Sequence, residues 1–245
     1  MFDQRKLSEI EHGAKIVDRA ERFWGHSKKA GRQRILRRIK LMVEWGAINN
    51  ASRVLEIGAG TGEFTRYLAE SGAQITAVDI SPDLLAVARK KLDGCRNVQF
   101  IVGDAEELGA LPDNYFTNIV GNAILHHLDC AKALRTCWSK LWEDGSVFFT
   151  EPNMLNPQIA LQKTIPWLKK LAGDSPDETA FFRWQIKKVL KQVGYRDIIV
   201  RNFDFLHPFL PDSLADVLNM PLRVLEFVPL VREFSGSLLI YAKKW

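Results

Sequence analysis

The stretch VLEIGAGTGEF, Val54 to Phe64, constrains the fold more than any other part of the chain. An apolar run of strand length ends at an acidic residue, and three glycines follow at alternate positions before a helical pattern begins. Glycine has no Cβ, so a ligand can lie against the main chain at such a turn. The first amide groups of the next helix then face that ligand with partial positive charge. The pattern therefore predicts a strand, a tight turn and a helix N-terminus that together bind a nucleotide-type cofactor.

The spacing of the glycines narrows the class of cofactor. A dinucleotide fingerprint requires a glycine at its sixth position, where this chain has Glu63, and the third glycine is instead Gly62. A carboxylate at that position disfavours a pyrophosphate. No Gly-Lys-Ser/Thr follows, which excludes the phosphate-binding Walker pattern. The turn favours a ligand that carries positive charge and no phosphate.

Acidic residues follow the next two predicted strands. From Arg53 onward, apolar strands alternate with helical segments, as in a parallel sheet whose carboxyl edge binds ligands. Asp79 ends the second strand and can accept hydrogen bonds from both ribose hydroxyls, while Ser81 is the better cap for the following helix. Asp104 could hold an adenine amine beside the Ala105 amide. Its alternative role is to cap a short helix over 106–108.

The motifs together resemble a known superfamily. The acidic residue before the glycine turn, Asp79, the Gly-Asp-Ala run at 103–105, and Asn122 with Leu-His-His-Leu at 125–128 follow successive strands. This set is similar to the class I S-adenosylmethionine-dependent methyltransferases, and closest to the small-molecule branch that includes the ubiquinone and menaquinone methyltransferases. The resemblance implies an α/β fold with a Rossmann-like, seven-stranded, mostly parallel sheet and helices on both faces. It also implies a last helix and a closing hairpin within 180–244.

The resemblance implies S-adenosylmethionine as cofactor, S-adenosylhomocysteine as product, and no metal. The implied cofactor-binding residues are Glu56, Gly58, Ala59, Gly60, Thr61, Gly62, Asp79, Ile80, Asp104, Ala105 and Asn122. His126 and His127 are the candidate catalytic bases, because imidazole titrates near working pH, although one ring could instead pack under the cofactor. His207 is a further candidate base.

The expected function is methyl transfer to a small organic acceptor by in-line displacement, at oxygen, nitrogen or carbon. After strand four the chain lacks the Asn/Asp-Pro-Pro-aromatic signature of enzymes that act on nucleobase amines. Two alternatives remain open. One is an RNA or protein methyltransferase that uses a basic N-terminal helix, and the other is a non-catalytic module that binds S-adenosylmethionine.

Residues 1–50 predict a helical cap, with helices over 4–24 and 31–46, before a methyltransferase domain at 51–245. This cap holds 12 Lys/Arg against 6 Asp/Glu, while the rest of the chain holds 22 against 23. The preferred interpretation of the basic residues is a solvated helix face; RNA, a lipid surface or an anionic substrate are alternatives. Trp24 is expected to pack at the lid of a pocket.

Two insertions, 153–176 and 203–234, are rich in aromatic residues and proline and predict a lid, with an oligomer interface or surface packing as alternatives. The three cysteines form no CxxC pair, so we expect reduced thiols. No signal peptide or membrane span of about 20 apolar residues is evident, and a cytoplasmic location is expected. A nucleic-acid partner is disfavoured; peripheral membrane contact and oligomeric state stay open.

Overall fold

The computed structural model describes residues 4–172 and 178–245. The strands are β1 (Arg53–Ile57), β2 (Gln74–Asp79), β3 (Val98–Val102), β4 (Phe116–Asn122), β5 (Leu141–Pro152), β6 (Arg196–Phe203) and β7 (Ser237–Lys243). The helices are α1 (Gln4–Ile16), α2 (Ala20–Phe23), α3 (Lys29–Trp45), α4 (Glu63–Ala69), α5 (Pro82–Lys91), α6 (Cys130–Lys140), α7 (Pro157–Thr164), α8 (Pro166–Ala172), α9 (Arg183–Val193) and α10 (Asp212–Leu225). The start of the predicted cap and the end of the first insertion lie outside the described residues.

The strands form one sheet in the order β3-β2-β1-β4-β5-β7-β6. Strands β1 to β5 pair in parallel, and β7 is antiparallel to both β5 and β6. The predicted seven-stranded, mostly parallel sheet with a closing hairpin is confirmed. Because the parallel strands end at one edge, the glycine turn after β1, Asp79 at the end of β2, Asp104 after β3 and Asn122 at the end of β4 are brought together there.

Helices cover both faces of the sheet, as expected. Side chains alternate along β1, so Leu55 belongs to one core cluster and Val54 to the other. The first cluster includes apolar residues of α6 and α9, and the second includes those of α3, α4 and α5. These two layers fix the carboxyl edge of the sheet between them.

One helical prediction and one helical alternative are wrong. The predicted helix over 4–24 is interrupted by a 3-10 turn at Val17–Arg19, which separates α1 from α2. No helix forms over 106–108. There, the Asp104 carboxylate accepts a hydrogen bond from the Glu106 N–H at 2.8 Å, which closes a tight turn instead of capping a helix.

The two predicted insertions lie against each other. The first contains α7 and α8 and the second contains α10. The Gln158 side chain lies 2.9 Å from His207 Nε2, and Asn156 Nδ2 donates to the Phe234 carbonyl at 2.8 Å. Among the described residues, no helix is both long and apolar enough to cross a bilayer.

Candidate functional site

A cavity of about 860 Å³ lies at the carboxyl edge of the parallel strands. Its base is the glycine turn and the ends of β2 and β4, and its walls come from the N-terminal helices and from the two insertions. The predicted cofactor residues that line it are Gly58, Ala59, Gly60, Thr61, Asp79, Ile80, Asp104, Ala105 and Asn122. His126, His127 and His207 line it as well, so the structure brings all three candidate bases to the same space.

Two glycines of the turn are required for different reasons. Gly58 has a φ of +73°, and a Cβ there would lie 2.7 Å from the side chain of Ile124. Gly62 also has a positive φ of +75° and precedes α4, but a Cβ would lie 3.0 Å from Ala88 of α5. Gly58 therefore leaves room for the Ile124 side chain at the cavity, whereas Gly62, which is outside the described lining, allows α4 to pack on α5.

Glu56 lies beneath the turn and not among the described lining residues. Its side chain is buried, and Oε2 has no hydrogen-bond partner among the described residues. Burial raises the pKa of Glu56 to about 8, and the neighbouring charge of Asp79 acts in the same direction. The predicted contact of Glu56 with a ligand ammonium stays a prediction.

Asp79 joins the end of β2 to the glycine turn. Its Oδ2 accepts a hydrogen bond from the Gly60 N–H at 2.8 Å, and its Oδ1 accepts one from the Ser81 N–H at 2.9 Å. The Ser81 hydroxyl accepts from the Leu84 N–H at the start of α5, so Ser81 is the cap, as predicted. Burial raises the pKa of Asp79 despite these two backbone donors. Each carboxylate oxygen keeps a lone pair for a further donor in the cavity.

The N-terminal helix closes one side of the cavity by ion pairs. The Lys6 ammonium pairs with the Asp104 carboxylate, and Arg5 pairs with Glu106 and donates to the His127 carbonyl. The hydrogen bond that the Lys6 ammonium donates to Asp104 raises the pKa of Lys6 in spite of partial burial. In this structure α1 therefore contacts the carboxylate that was predicted to hold an adenine amine.

Asn122, at the end of β4, is held by a buried arginine that the sequence did not identify. Asn122 Oδ1 accepts hydrogen bonds from Arg38 Nη1 and from Thr150 Oγ1, both at 2.6 Å. Arg38 lines the cavity and is 7% exposed, and its Nε has no partner among the described residues. Burial, with the nearby charge of Arg34, lowers the pKa of Arg38 to about 10. This is a cation with unused hydrogen-bonding capacity at the ligand edge.

The preferred interpretation of the basic helix as a solvated face is wrong for three of its arginines. Arg34 and Arg38 both pair with the buried Asp204, at 2.9 and 2.7 Å, and Arg37 makes two hydrogen bonds to the buried Glu226. The second insertion supplies both carboxylates. These two carboxylates are far from α3 in the sequence. The basic pattern of α3 alone therefore could not show which face of the helix is covered. Three guanidinium groups face two carboxylates.

His126 lines the cavity and lies between two carboxylates. Its Nδ1 is 2.7 Å from Glu151 Oε2, and its Nε2 is 3.3 Å from Glu178 Oε1. Burial opposes the charge, but the hydrogen bonds to the two carboxylates outweigh it and raise the pKa of His126 to about 9. A protonated imidazole accepts no proton, so at neutral pH this geometry fits an orienting cation better than a base.

His127 and His207 have different surroundings. His127 Nδ1 lies 3.3 Å from the Glu9 carboxylate of α1, and the His126 and His127 ring centroids are 4.2 Å apart. Burial and the charge of Arg34 lower the pKa of His207, which favours its neutral form. Ligand atoms of His126, His127 and Glu178 lie within 4.8 Å of one another, a spacing that a metal ion could use. Their catalytic roles stay predictions.

The charge on His126 predicts a pH-dependent stability. Its pKa is about 9 when folded and near 6.5 in the unfolded chain, so its contribution is complete below pH 6.5 and is lost as the pH rises through 9. As the pH rises across this range, the free energy of unfolding of the native chain should fall by roughly 2 to 3 kcal/mol more than that of a His126→Gln variant, which lacks the titrating imidazole. Urea denaturation at several pH values measures the difference. Parallel curves would contradict a charged His126.

Comparisons with known proteins agree with the fold. A methyltransferase-domain family matches residues 55–149. A ubiquinone biosynthesis O-methyltransferase of Xanthomonas campestris is 33% identical over 112 residues, which are 45% of this chain and 47% of that protein. The chain thus matches about half the length of this relative.

Two solved structures share the architecture. Phosphoethanolamine N-methyltransferase 2 of Haemonchus contortus, in complex with S-adenosyl-L-methionine, has a TM-score of 0.62 at 20% identity and covers 85% of this chain and 52% of its own. The [4+2]-cyclase SpnF has a TM-score of 0.63 at 20% identity and covers 85% and 80%. At these identities the two structures establish the fold. Residues 55–149 therefore match a methyltransferase-domain family within a fold that the chain shares with both structures, and over 112 residues the chain resembles the ubiquinone biosynthesis O-methyltransferases.

Proposed function

We propose that this protein transfers a methyl group from S-adenosylmethionine to a small organic acceptor. The observation that carries the proposal is Asp79, which is fixed by the glycine turn and still offers a lone pair on each oxygen to the cavity. Two ribose hydroxyls would donate one hydrogen bond to each of these oxygens. The relative from Haemonchus contortus, whose structure contains S-adenosyl-L-methionine, supports the same cofactor here.

The charges around Arg38 also fit this cofactor. Arg34 and Arg38 share one carboxylate, Asp204, while Arg37 and Glu226 satisfy each other. Within the described part of the chain, this cluster therefore has one more guanidinium than carboxylate, and Arg38 Nε has no hydrogen-bond partner there. The carboxylate of the methionine moiety would balance that charge beside Asn122. A phosphate-free ligand with one carboxylate suits the cavity better than a dinucleotide does.

The residues of the chain would orient the reactants and exclude water. When bound, S-adenosylmethionine supplies a methyl group on a sulfonium, with a neutral thioether as leaving group. The described parts of the N-terminal cap and of the two insertions would cover the cavity and align an acceptor. The Glu151–His126–Glu178 chain would help to orient the acceptor. His127 and His207 remain the candidates to take a proton where the acceptor must lose one.

Neither alternative function gains support from the geometry. A nucleic-acid contact on α3 would need the arginines that instead pair with Asp204 and Glu226. A protein that binds S-adenosylmethionine without transferring its methyl group stays as an outcome of the test, because this fold does not fix the function: SpnF, described as a [4+2]-cyclase, shares it at TM-score 0.63.

Calorimetric titration with S-adenosylmethionine and S-adenosylhomocysteine tests the proposal. We expect both to bind the native chain, and an Arg38→Gln variant to bind S-adenosylhomocysteine roughly tenfold or more weakly while binding its decarboxylated analogue unchanged. Incubation with acceptor mixtures should then yield products heavier by one methylene. A folded protein that binds neither ligand would refute the proposed cofactor. Binding without turnover of any acceptor would favour the non-catalytic module.

A further inference from the structure

The outer surface of α10 and of the segment after it is apolar and uncovered. Val217, Met220, Val224, Phe227 and Leu230 are each more than half exposed. The first three recur at the spacing of one helix face. Isolated exposed apolar residues are ordinary, but a continuous stripe of this kind marks an interaction surface.

The opposite side of α10 fixes this orientation. Ala215 is buried and packs with Leu206 and Ala30, and Glu226 accepts both hydrogen bonds from Arg37. The helix therefore cannot turn its apolar stripe inward without breaking a buried ion pair. We call the stripe, defined by Val217, Met220, Val224, Phe227 and Leu230, the apolar lid face.

The charges around the apolar lid face are mostly positive. Between residues 217 and 232, all of which are described, the one acidic residue is Glu226, which is 3% exposed and already paired. Arg201 lies over the Phe227 ring at 5.9 Å, and Arg223 and Arg232 belong to the same segment. Two carboxylates flank this segment, and each has a basic partner: Asp216 pairs with Lys29, and Glu233 lies within 4.0 Å of Arg232.

We propose that the apolar lid face docks this protein on an anionic lipid surface. A helix whose exposed apolar stripe is bordered by arginines can sink that stripe among the acyl chains while the guanidinium groups meet lipid phosphates. The neighbouring insertion repeats the pattern in α8, where Trp167 and Leu171 are exposed beside Lys170. A second copy of the chain fits less well, because a two-fold contact would bring one arginine border against the other.

Vesicle co-sedimentation of the full chain tests the proposal without any cofactor. We expect binding to phosphatidylcholine vesicles that contain phosphatidylglycerol, and weaker binding to phosphatidylcholine alone. A Val224→Asp/Phe227→Asp double variant should bind roughly tenfold or more weakly, because two apolar anchors become charged. Trp142→Asp is the matched control: Trp142 is 52% exposed but lies at the amino end of β5, and this variant should bind as the native chain does.

Thermal melting and S-adenosylhomocysteine titration of the double variant should match those of the native chain, which separates the docking surface from the proposed function. Three outcomes would overturn the inference. The native chain could fail to bind anionic vesicles, the double variant could bind them equally well, or the native chain could form a dimer that the double variant cannot form. The last outcome would assign the apolar lid face to a second copy.

Discussion

An Asp204→Asn variant should lose about 3 to 5 kcal/mol of its free energy of unfolding at neutral pH. Asp204 is 2% exposed, and its Oδ2 accepts hydrogen bonds from Arg34 at 2.9 Å and from Arg38 at 2.7 Å. The amide keeps the shape of the side chain but removes the charge, so two guanidinium groups lose their shared counter-charge in a buried site. Urea denaturation of the native chain and the variant measures the loss.

An exposed ion pair on the same helix provides the control. Lys40 and Glu44 lie 3.6 Å apart, and more than half of each side chain is exposed. A Glu44→Gln change should therefore alter the free energy of unfolding by no more than about 0.5 kcal/mol. If Asp204→Asn costs no more than this, the buried cluster does not hold α3 to the second insertion.

The pH dependence of the Asp204 effect has a defined sign. Burial disfavours its charge, but the charges of Arg34 and Arg38 prevail and lower the pKa of the carboxyl below its usual 3.8. Asp204 therefore stabilises the folded state above pH 3.8, and this stabilisation is lost as the pH falls through the lower, folded-state pKa. The native chain and the variant should differ at neutral pH and converge in strong acid.

The sheet was readable from sequence because its signals are local. Apolar runs of strand length, separated by helical segments, gave the five parallel strands and their order along the chain. In a parallel sheet the carboxyl ends of the strands lie at one edge. Asp79, Asp104 and Asn122, each at or just after the end of a strand, could therefore be placed together from their sequence positions alone. The role of Ser81 as a helix cap was equally local.

The walls of the cavity were not readable because their contacts are distant in sequence. Arg38 and Asp204 are 166 residues apart, and Arg5 and Glu106 are 101 apart. A basic helix has the same pattern whether its arginines face water or buried carboxylates. The pairing of His126 with Glu151 likewise changes its expected charge at neutral pH, and the Leu-His-His-Leu run alone gives no sign of it.

Replacing Asp79 by alanine should weaken S-adenosylhomocysteine binding by roughly tenfold or more, with the fold retained. Two hydrogen bonds from ribose hydroxyls to a carboxylate would be lost, and each charged pair contributes about 1.5 to 3 kcal/mol. Isothermal titration calorimetry measures the affinity, and thermal melting checks the fold. An unchanged affinity would remove Asp79 from the ligand site and with it the observation on which the proposed function stands.

An analogue without the two ribose hydroxyls separates a direct contact from a distorted turn. Asp79 also accepts the Gly60 N–H, so its loss could loosen the glycine turn and weaken every ligand alike. If the carboxylate binds the hydroxyls, the native chain should prefer S-adenosylhomocysteine over the dideoxy analogue, and the Asp79→Ala variant should bind the two equally. If the variant keeps the full preference and binds both ligands more weakly, Asp79 acts on the turn, and the ribose is held by other residues. The ratio of the two affinities therefore decides the role of Asp79, because any general loosening of the turn cancels from it.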